Sequence, residues 1–456
     1  MNARIHFNET NLPVADGIYL SEIIGALSYA LDLTEGQPPG HCLRCCWIGM
    51  HMAAQLNLSE EERSDLYYTL LLKDAGCSSN AARLFELYGN DERAIKHDFK
   101  TVNEDSFLQL GAFVLRHANA GRSLSGWVSR IINLARHGNE LANELVETRC
   151  ERGADIARQL GFSERVAMSV QALDEHWDGH GRPIGLSGSQ IPLGSRIALI
   201  AQVTDVFFSI GGKKAALHEL QSRSGKWFDP ELIAIFNLCA QDQHFWQGLA
   251  ADDIQSQVMR LEPQATLLTI DESRLDTIAE AFAQVVDTKS PFTYGHSERV
   301  ADYANKIALT LGVSDQSRQW LRRGALLHDI GKLGVSNAIL DKPGALDPDE
   351  WVFVKNHAQY SEEILSRIGI FSKLAVIAAA HHERLDGTGY PRGLNENDLC
   401  LETRIITVCD IFDALSADRP YRGAMPTEQA LGIMQKMVGS ALDPTCFKAL
   451  KLILSQ

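Results

Sequence analysis

Leu326-Leu327-His328-Asp329-Ile330-Gly331-Lys332 is the stretch on which the reading of this chain turns. Its spacing predicts a helix that buries Leu326, Leu327 and Ile330 on one side and projects His328, Asp329 and Lys332 from an adjoining face, because residues three and four apart lie one above the other. Neighbouring His and Asp side chains can reach one divalent ion, and the second carboxylate oxygen can bridge to another. An isolated pair of this kind would be a capped, salt-bridged helix. Here the pair has company.

Working outward, Ser273 to Val286 reads as a helix, and His296 follows a break at Pro291 and Gly295. After the central stretch, Asp347-Pro348 announces a further helix, Asp as cap and Pro at the first helical position, and that helix carries His357. Leu374 to Ala380 delivers His381-His382 at its end, and the glycine loop Asp386-Gly387-Thr388-Gly389-Tyr390-Pro391 comes next. Asp410 and Asp413 then fall on one helix face at i and i+3. Five histidines lie beyond residue 262, mostly at helix ends or glycine breaks, several of them beside acids. Imidazole and carboxylate donors in this number suit a hydrolytic site for iron, manganese or zinc. Cys409 adjoins Asp410 and cannot share its face, which argues against a thiolate site.

Residues 1–261 also read as helix after helix, with Leu20 to Leu33, Leu43 to Leu56 and Glu61 to Leu72 in apolar three-and-four spacing and Ser59 able to cap the third. The pattern loosens between Leu249 and Asp271, around Pro263, so a domain boundary is expected near 261/262. The two parts echo each other in order. Gly40-His41 matches Gly295-His296, Leu71-Leu72-Lys73-Asp74-Ala75-Gly76 matches the central stretch, and Asp178-Gly179-His180-Gly181-Arg182-Pro183 matches the later glycine loop. Ser195-Arg196-Ile197 likewise matches Thr403-Arg404-Ile405. The chain reads as two copies of one all-α fold, with a longer connection inside the first.

With 456 residues, 45% of them hydrophobic and 22% charged, the composition is that of an ordinary soluble protein of two or three domains. A net charge of −15 would repel polyanions, which excludes nonspecific nucleic-acid and anionic-membrane binders but leaves room for a small anionic ligand. The start, Met1-Asn2-Ala3-Arg4-Ile5-His6, lacks the apolar core of a signal peptide, and no run long enough to span a bilayer is expected, so the reading is cytoplasmic. Nine cysteines without regular spacing are expected to be reduced and buried. Cys42, Cys45 and Cys46 lack the second pair that a zinc clip needs.

The ordered motifs of residues 270–448 resemble the HD-GYP family of bacterial cyclic-dinucleotide phosphodiesterases, members of the HD superfamily. His328-Asp329 resembles the HD pair and Gly389-Tyr390-Pro391 the GYP triplet. Asp410-Ile411-Phe412-Asp413-Ala414-Leu415 and Arg419-Pro420-Tyr421-Arg422 resemble two further family segments. The resemblance implies a catalytic domain at 262–456 in which His296, His328, Asp329 and Asp410 hold one divalent ion. Asp329 would bridge to a second ion held by His357, His381 and His382. Phe292 stands where some members carry a Glu for a third ion, so two metals are expected, iron or manganese ahead of zinc. Such a pair of ions activates water and neutralises phosphoryl oxygens. Asp329 and Lys332 would be the catalytic residues. Lys332, Asp413, Arg419, Arg422 and Tyr390 would meet substrate, with loop bracing as the rival role for the two arginines and packing over the turn for Tyr390.

The resemblance further implies hydrolysis of 3′,3′-cGAMP or cyclic di-GMP to a linear dinucleotide, with a lean towards cGAMP because two such halves without a receiver domain resemble cGAMP phosphodiesterases. Residues 1–261 resemble a degenerate copy with a regulatory or dimerising role, the chain then forming a homodimer through it. There Lys73 replaces the HD histidine, Leu173-Asp174 the His-His pair, Gln202 the late Asp and Arg182 the GYP tyrosine, which predicts that Lys73 fills the place of a metal beside Asp74. His176 and His180 could form a different site. The rival readings are a non-catalytic cyclic-dinucleotide-binding scaffold, favoured by the first half alone, and an HD-superfamily nucleotide phosphohydrolase.

Overall fold

The computed structural model describes residues 19–102, 106–118, 124–263, 270–420 and 422–455; the first six residues and Tyr421, read above, lie outside this set. Among the described residues the protein is all-α, with no β-strand beyond isolated bridges. It divides into two compact units, Tyr19–Leu268 and Thr269–Gln456.

The first unit contains α1 (Leu20–Thr34), α2 (His41–Ala53), α3 (Glu60–Leu72), α4 (Ala81–Tyr88), α5 (Glu92–Phe99), α6 (Phe107–His117), α7 (Leu124–Gln159), α8 (Glu164–Gln171), α9 (Leu193–Ser222), α10 (Pro230–Cys239), α11 (Gln243–Leu249) and α12 (Ile254–Met259). Ser59 caps α3 in a full capping box with Glu62, satisfying two otherwise orphaned amides. Helix α2 packs on α3 and α9, and α7 packs on α8. Helix α9 corrects one expectation. It is long and apolar enough to cross a membrane by composition, but more than half of its most apolar stretch is buried in the unit, where a helix covered on several sides needs an apolar surface all round. Its backbone also leaves helical geometry at Gly211 and Gly212, and Gly212 has φ +66°, a conformation open to glycine.

The second unit contains α13 (Glu272–Asp287), α14 (His296–Thr310), α15 (Asp315–Leu327), α16 (Asn337–Leu340), α17 (Pro348–Leu365), α18 (Ser372–Ala380), α19 (Leu401–Ser416), α20 (Thr427–Gln435) and α21 (Pro444–Leu454). Asp347 and Pro348 start α17 as the sequence indicates, again with a capping box. Helix α14 packs on α15 and α19, and α17 on α18. Leu326, Leu327, Ile330 and Leu333 are all buried, each contributing about 2 kcal/mol of transfer free energy. The buried Arg323 ties α15 to α13 through Glu272 and Asp276, at 2.6 Å each.

The central stretch itself differs from the single helix expected. Helix α15 ends at Leu327, His328 caps it, and a 3-10 turn runs Ile330–Gly334. Tertiary packing explains the change: α17 lies against this turn, and a side chain at Gly331 would strike the His357 carbonyl and the Ser361 amide. Ser361 Oγ locks the junction, accepting from the Gly331 amide and donating to the His328 carbonyl, both at 2.9 Å. The tightened turn aims His328 and Asp329 inward rather than along a helix face.

Candidate metal centre

Five of the seven residues expected to bind metal come from helix starts and ends, and Asp410 and His357 from helix interiors. His296 opens α14 after Gly295, which has φ +66°; His328 caps α15; Asp329 leads the 3-10 turn; His381 caps α18 and His382 follows; Asp410 lies within α19. His357, the seventh, lies inside α17. The structure brings all seven together as two donor groups. One is His296, His328, Asp329 and Asp410; the other is Asp329, His357, His381 and His382.

Asp329 belongs to both groups through different oxygens. Its Oδ2 lies 3.4 Å from His296 Nε2 and 3.2 Å from His328 Nε2, while its Oδ1 lies 3.5 Å from His357 Nε2 and 3.7 Å from His381 Nε2. Asp410 Oδ1 closes the first group, 3.4 Å from His296 Nε2.

Four of the imidazoles are fixed by their far nitrogen. His328, His357 and His381 direct Nδ1 to the carbonyls of Ala325, Val354 and Ala378, and His296 directs Nδ1 to Asp413 Oδ2 at 2.7 Å. With the proton on Nδ1, Nε2 of His328, His357 and His381 offers a lone pair to the shared space, and Nε2 of His296 would do so when a cation replaces the proton that its carboxylates favour. Burial pushes His357, His381 and His382 down, the last to about 3, so they stand as neutral donors. Burial also opposes charge on Asp329 and Asp410. Lys332 and His328 around the first, and His296 and His382 around the second, nevertheless hold both carboxyls well below their usual range. For His296, burial is outweighed by contacts with Asp329, Asp410 and Asp413, which push it up to about 10. Carboxylates thus draw positive charge to this point.

A divalent cation fits these residues. His296 Nε2, His328 Nε2 and Asp329 Oδ1 are buried without a hydrogen-bond partner, a costly state unless something else is coordinated. Neutral imidazoles, ionised carboxylates and a carboxylate shared between two groups form the donor set that borderline and hard divalent ions take.

The residues expected to meet substrate divide. Lys332 stands at the rim, 17% exposed, bonded to Asp329 Oδ2. Tyr390 lies against the second donor group, its ring 4.8 Å from that of His382, with Lys355 Nζ 5.4 Å from its centroid. Asp413 requires correction: it is buried, and both oxygens are engaged by His296 Nδ1 and Arg299, so it orients a donor instead of facing a ligand. Arg422 takes the rival role given above, bracing instead of meeting substrate. It donates to the Leu415 and Ala414 carbonyls at 2.8 and 2.7 Å, and Arg419 Nε lies 3.5 Å from the Ala414 carbonyl, so the pair braces the last turn of α19, where carbonyls lack helical partners.

Four supporting residues escaped the sequence reading. Ser361 locks the central turn, and Arg299 pairs with Asp413. Thr407 donates to the His381 carbonyl at 2.8 Å, and Glu383 accepts the amides of Arg392 and Leu394 at 2.7 and 3.0 Å, holding the glycine loop. Two of them carried a signal: Glu383 directly follows His381-His382, and Arg299 follows His296 at the spacing at which Arg44 follows His41. In the first unit, His176 stacks on Trp227 and His180 is exposed beside Asp178, so these two do not converge. All nine cysteines are buried free thiols.

Comparison with known proteins agrees with this geometry. The HD domain family profile matches residues 118–232 and 280–446. The chain is 54% identical over 436 residues, 96% of its length and 95% of the relative's, to a protein named 3'3'-cGAMP-specific phosphodiesterase 3 from Vibrio cholerae. It is 35% identical over 209 residues, 45% of its length and 57% of the relative's, to a cyclic di-GMP phosphodiesterase from Thermotoga maritima. Among solved structures, a crystal structure described as a cyclic GMP-AMP specific phosphodiesterase of V. cholerae aligns with TM-score 0.67 and 49% identity, covering 96% of this chain and 98% of that one.

Proposed function

This chain belongs to the HD domain family, and from that premise we propose that it hydrolyses a 3′-5′ phosphodiester bond of a cyclic dinucleotide, releasing a linear dinucleotide, with divalent metal bound in its second unit. The observation that carries the reading is Asp329, one carboxylate shared by two groups of donors that are buried except for the half-buried His382. Similarity over nearly the full length to a cGAMP-specific enzyme puts 3′,3′-cGAMP ahead of cyclic di-GMP as substrate. His296, His328, Asp329 and Asp410 would hold one ion, and Asp329, His357, His381 and His382 a second. Iron, manganese and zinc are all taken by histidine and carboxylate sets of this kind, and iron or manganese is the ion proposed here. When bound, such ions activate water for attack and neutralise the phosphoryl oxygens.

The chain's own residues do the rest. The Nδ1 anchors at Ala325, Val354, Ala378 and Asp413 hold four imidazoles in register, so no reorganisation is needed when charge develops. Lys332 at the rim brings N–H donors to a phosphoryl oxygen as negative charge grows on it. Tyr390 offers a face beside His382 on which a base can stack. Arg419 and Arg422 keep the end of α19 in place. The nine free, buried thiols support a reducing, cytoplasmic setting. The first unit would serve regulation or homodimer formation.

Purified full-length protein, given manganese or iron, tests the proposal against 3′,3′-cGAMP, cyclic di-GMP and a nucleoside triphosphate in parallel. Conversion of a cyclic dinucleotide to its linear form is expected. Turnover of the triphosphate alone would contradict the reading.

A further inference from the structure

The two units repeat the same internal framework, which allows their sites to be matched residue by residue. His41 directs Nδ1 to Asp205 at 2.6 Å and Arg44 pairs with that same carboxylate, as His296 and Arg299 do with Asp413. Gln202, three residues before Asp205, therefore stands for Asp410. Lys73 caps α3 as His328 caps α15. Gly76 packs against the Arg149 carbonyl and the Gly153 amide, where Gly331 packs against the His357 carbonyl and the Ser361 amide, so Arg149 stands for His357. Gly181 packs on Glu175 and His176 as Gly389 packs on Glu383 and Arg384, which sets Leu173 and Asp174 in the places of His381 and His382.

The first donor group thus becomes His41, Lys73, Asp74 and Gln202, and the second becomes Asp74, Arg149, Leu173 and Asp174. Lys73 Nζ sits among the other three members of the first: 3.1 Å from His41 Nε2, 3.1 Å from Gln202 Oε1, and bonded to Asp74 Oδ2. In the second, the Arg149 guanidinium bonds to Asp174. We propose that each metal position of the second unit is taken in the first by a side-chain cation, Lys73 at one and Arg149 at the other, making the first unit a metal-independent copy.

The surroundings agree with this assignment. The Lys73 side chain is fully buried, and three donors of an ammonium meet three acceptors there. Burial and the adjacent Lys73 charge push His41 down to about 4, leaving it the neutral acceptor that the ammonium needs. Glu35, Asp74 and Cys77 also converge, but this group is already matched by cations. Lys96 and Lys100 pair with Glu35 at 3.1 and 3.0 Å, and burial pushes the Cys77 thiol up, away from the thiolate a metal would require. Cys77 stands where Lys332 lines the rim, and its carbonyl accepts from Lys96 at 2.5 Å. Helix α5, which carries Lys96, belongs to the longer connection of the first unit, so this added segment reaches the backbone at the position that Lys332 holds in the second unit.

The inference rests on the reading that the second unit holds metal, and its test separates the two. In full-length protein carrying Asp329→Ala, Asp410→Ala and His357→Ala, which disables the second unit's site, manganese loading followed by desalting and elemental analysis is expected to find no bound ion. Stoichiometric tightly held manganese would overturn the proposal. Adding Lys73→His and Gln202→Asp rebuilds a set of two histidines and two aspartates and is expected to raise the content by about one ion per chain; no gain in a chain of unchanged helical circular dichroism would equally overturn it. Should the rebuilt variant fail to fold, the first measurement still decides. The unsubstituted protein's own manganese content reports on the second unit separately.

Discussion

His41 and His296 adopt the same pose, each opening a helix after a left-handed glycine and each pinned through Nδ1 to an aspartate that an arginine also holds. What surrounds them differs completely. His296 faces Asp329, Asp410 and an unpartnered His328 Nε2, with the Lys332 ammonium reaching Asp329 from the rim; His41 faces an ammonium directly. The framework of helix ends, glycine contacts and Nδ1 anchors therefore sets where donors stand without deciding what they bind. The two sites differ at five of seven matched positions on one scaffold, with a lysine and an arginine in place of two histidines of the donor set, and buried carboxylates are matched by positive charge in both units.

Substituting matched residues can break this comparison. Asp329→Ala should bring hydrolysis of cyclic dinucleotide to background in a steady-state assay, because both donor groups lose their common member; activity near that of the parent would place the chemistry elsewhere. Lys332→Ala should lower kcat by about 10²-fold, the usual consequence of losing a donor to developing charge, while metal content is unchanged. An effect confined to KM would assign Lys332 to ground-state binding.

The counterpart of the first substitution acts on stability. Asp74→Ala leaves the buried Lys73 ammonium without its carboxylate, and a loss of about 3–5 kcal/mol is expected in denaturant or thermal unfolding of the first unit. A stability change below about 1 kcal/mol would mean that Lys73 is not held as a cation. The smallest expected effect belongs to Arg422→Ala: about 1 kcal/mol from loss of its bonds to the Leu415 and Ala414 carbonyls, with KM little changed. A large rise in KM would restore the arginine to the substrate.

Much of the second unit's site was legible in sequence because its donors lie in short motifs or beside glycine breaks, where the side-chain type and the chain's direction are read together. His328-Asp329, His381-His382 and Asp410 are of this kind, and the capping residues Ser59 and Asp347 marked their helices for the same local reason. What failed was whatever packing decides at a distance. Leu326, Leu327 and Ile330 have helical spacing, yet contact with α17 tightens the turn at Gly331 and ends the helix at Leu327. Asp413 shares a helix face with Asp410, and only the position of His296 shows that it works from behind. Arg149 lies in the 36-residue helix α7 with no motif around it, so its equivalence to His357 appears only through the backbone that meets Gly76. Lys73 was the exception in the first unit, since it falls inside a recognisable echo of the central stretch.

The most direct measurement is the number of manganese ions held per full-length chain, by elemental analysis of the parent protein and of Asp329→Ala prepared side by side. Two ions in the parent and none in the variant are expected, since one carboxylate serves both donor groups and the first unit contributes its own cations. Four ions in the parent, or two retained without Asp329, would contradict the account.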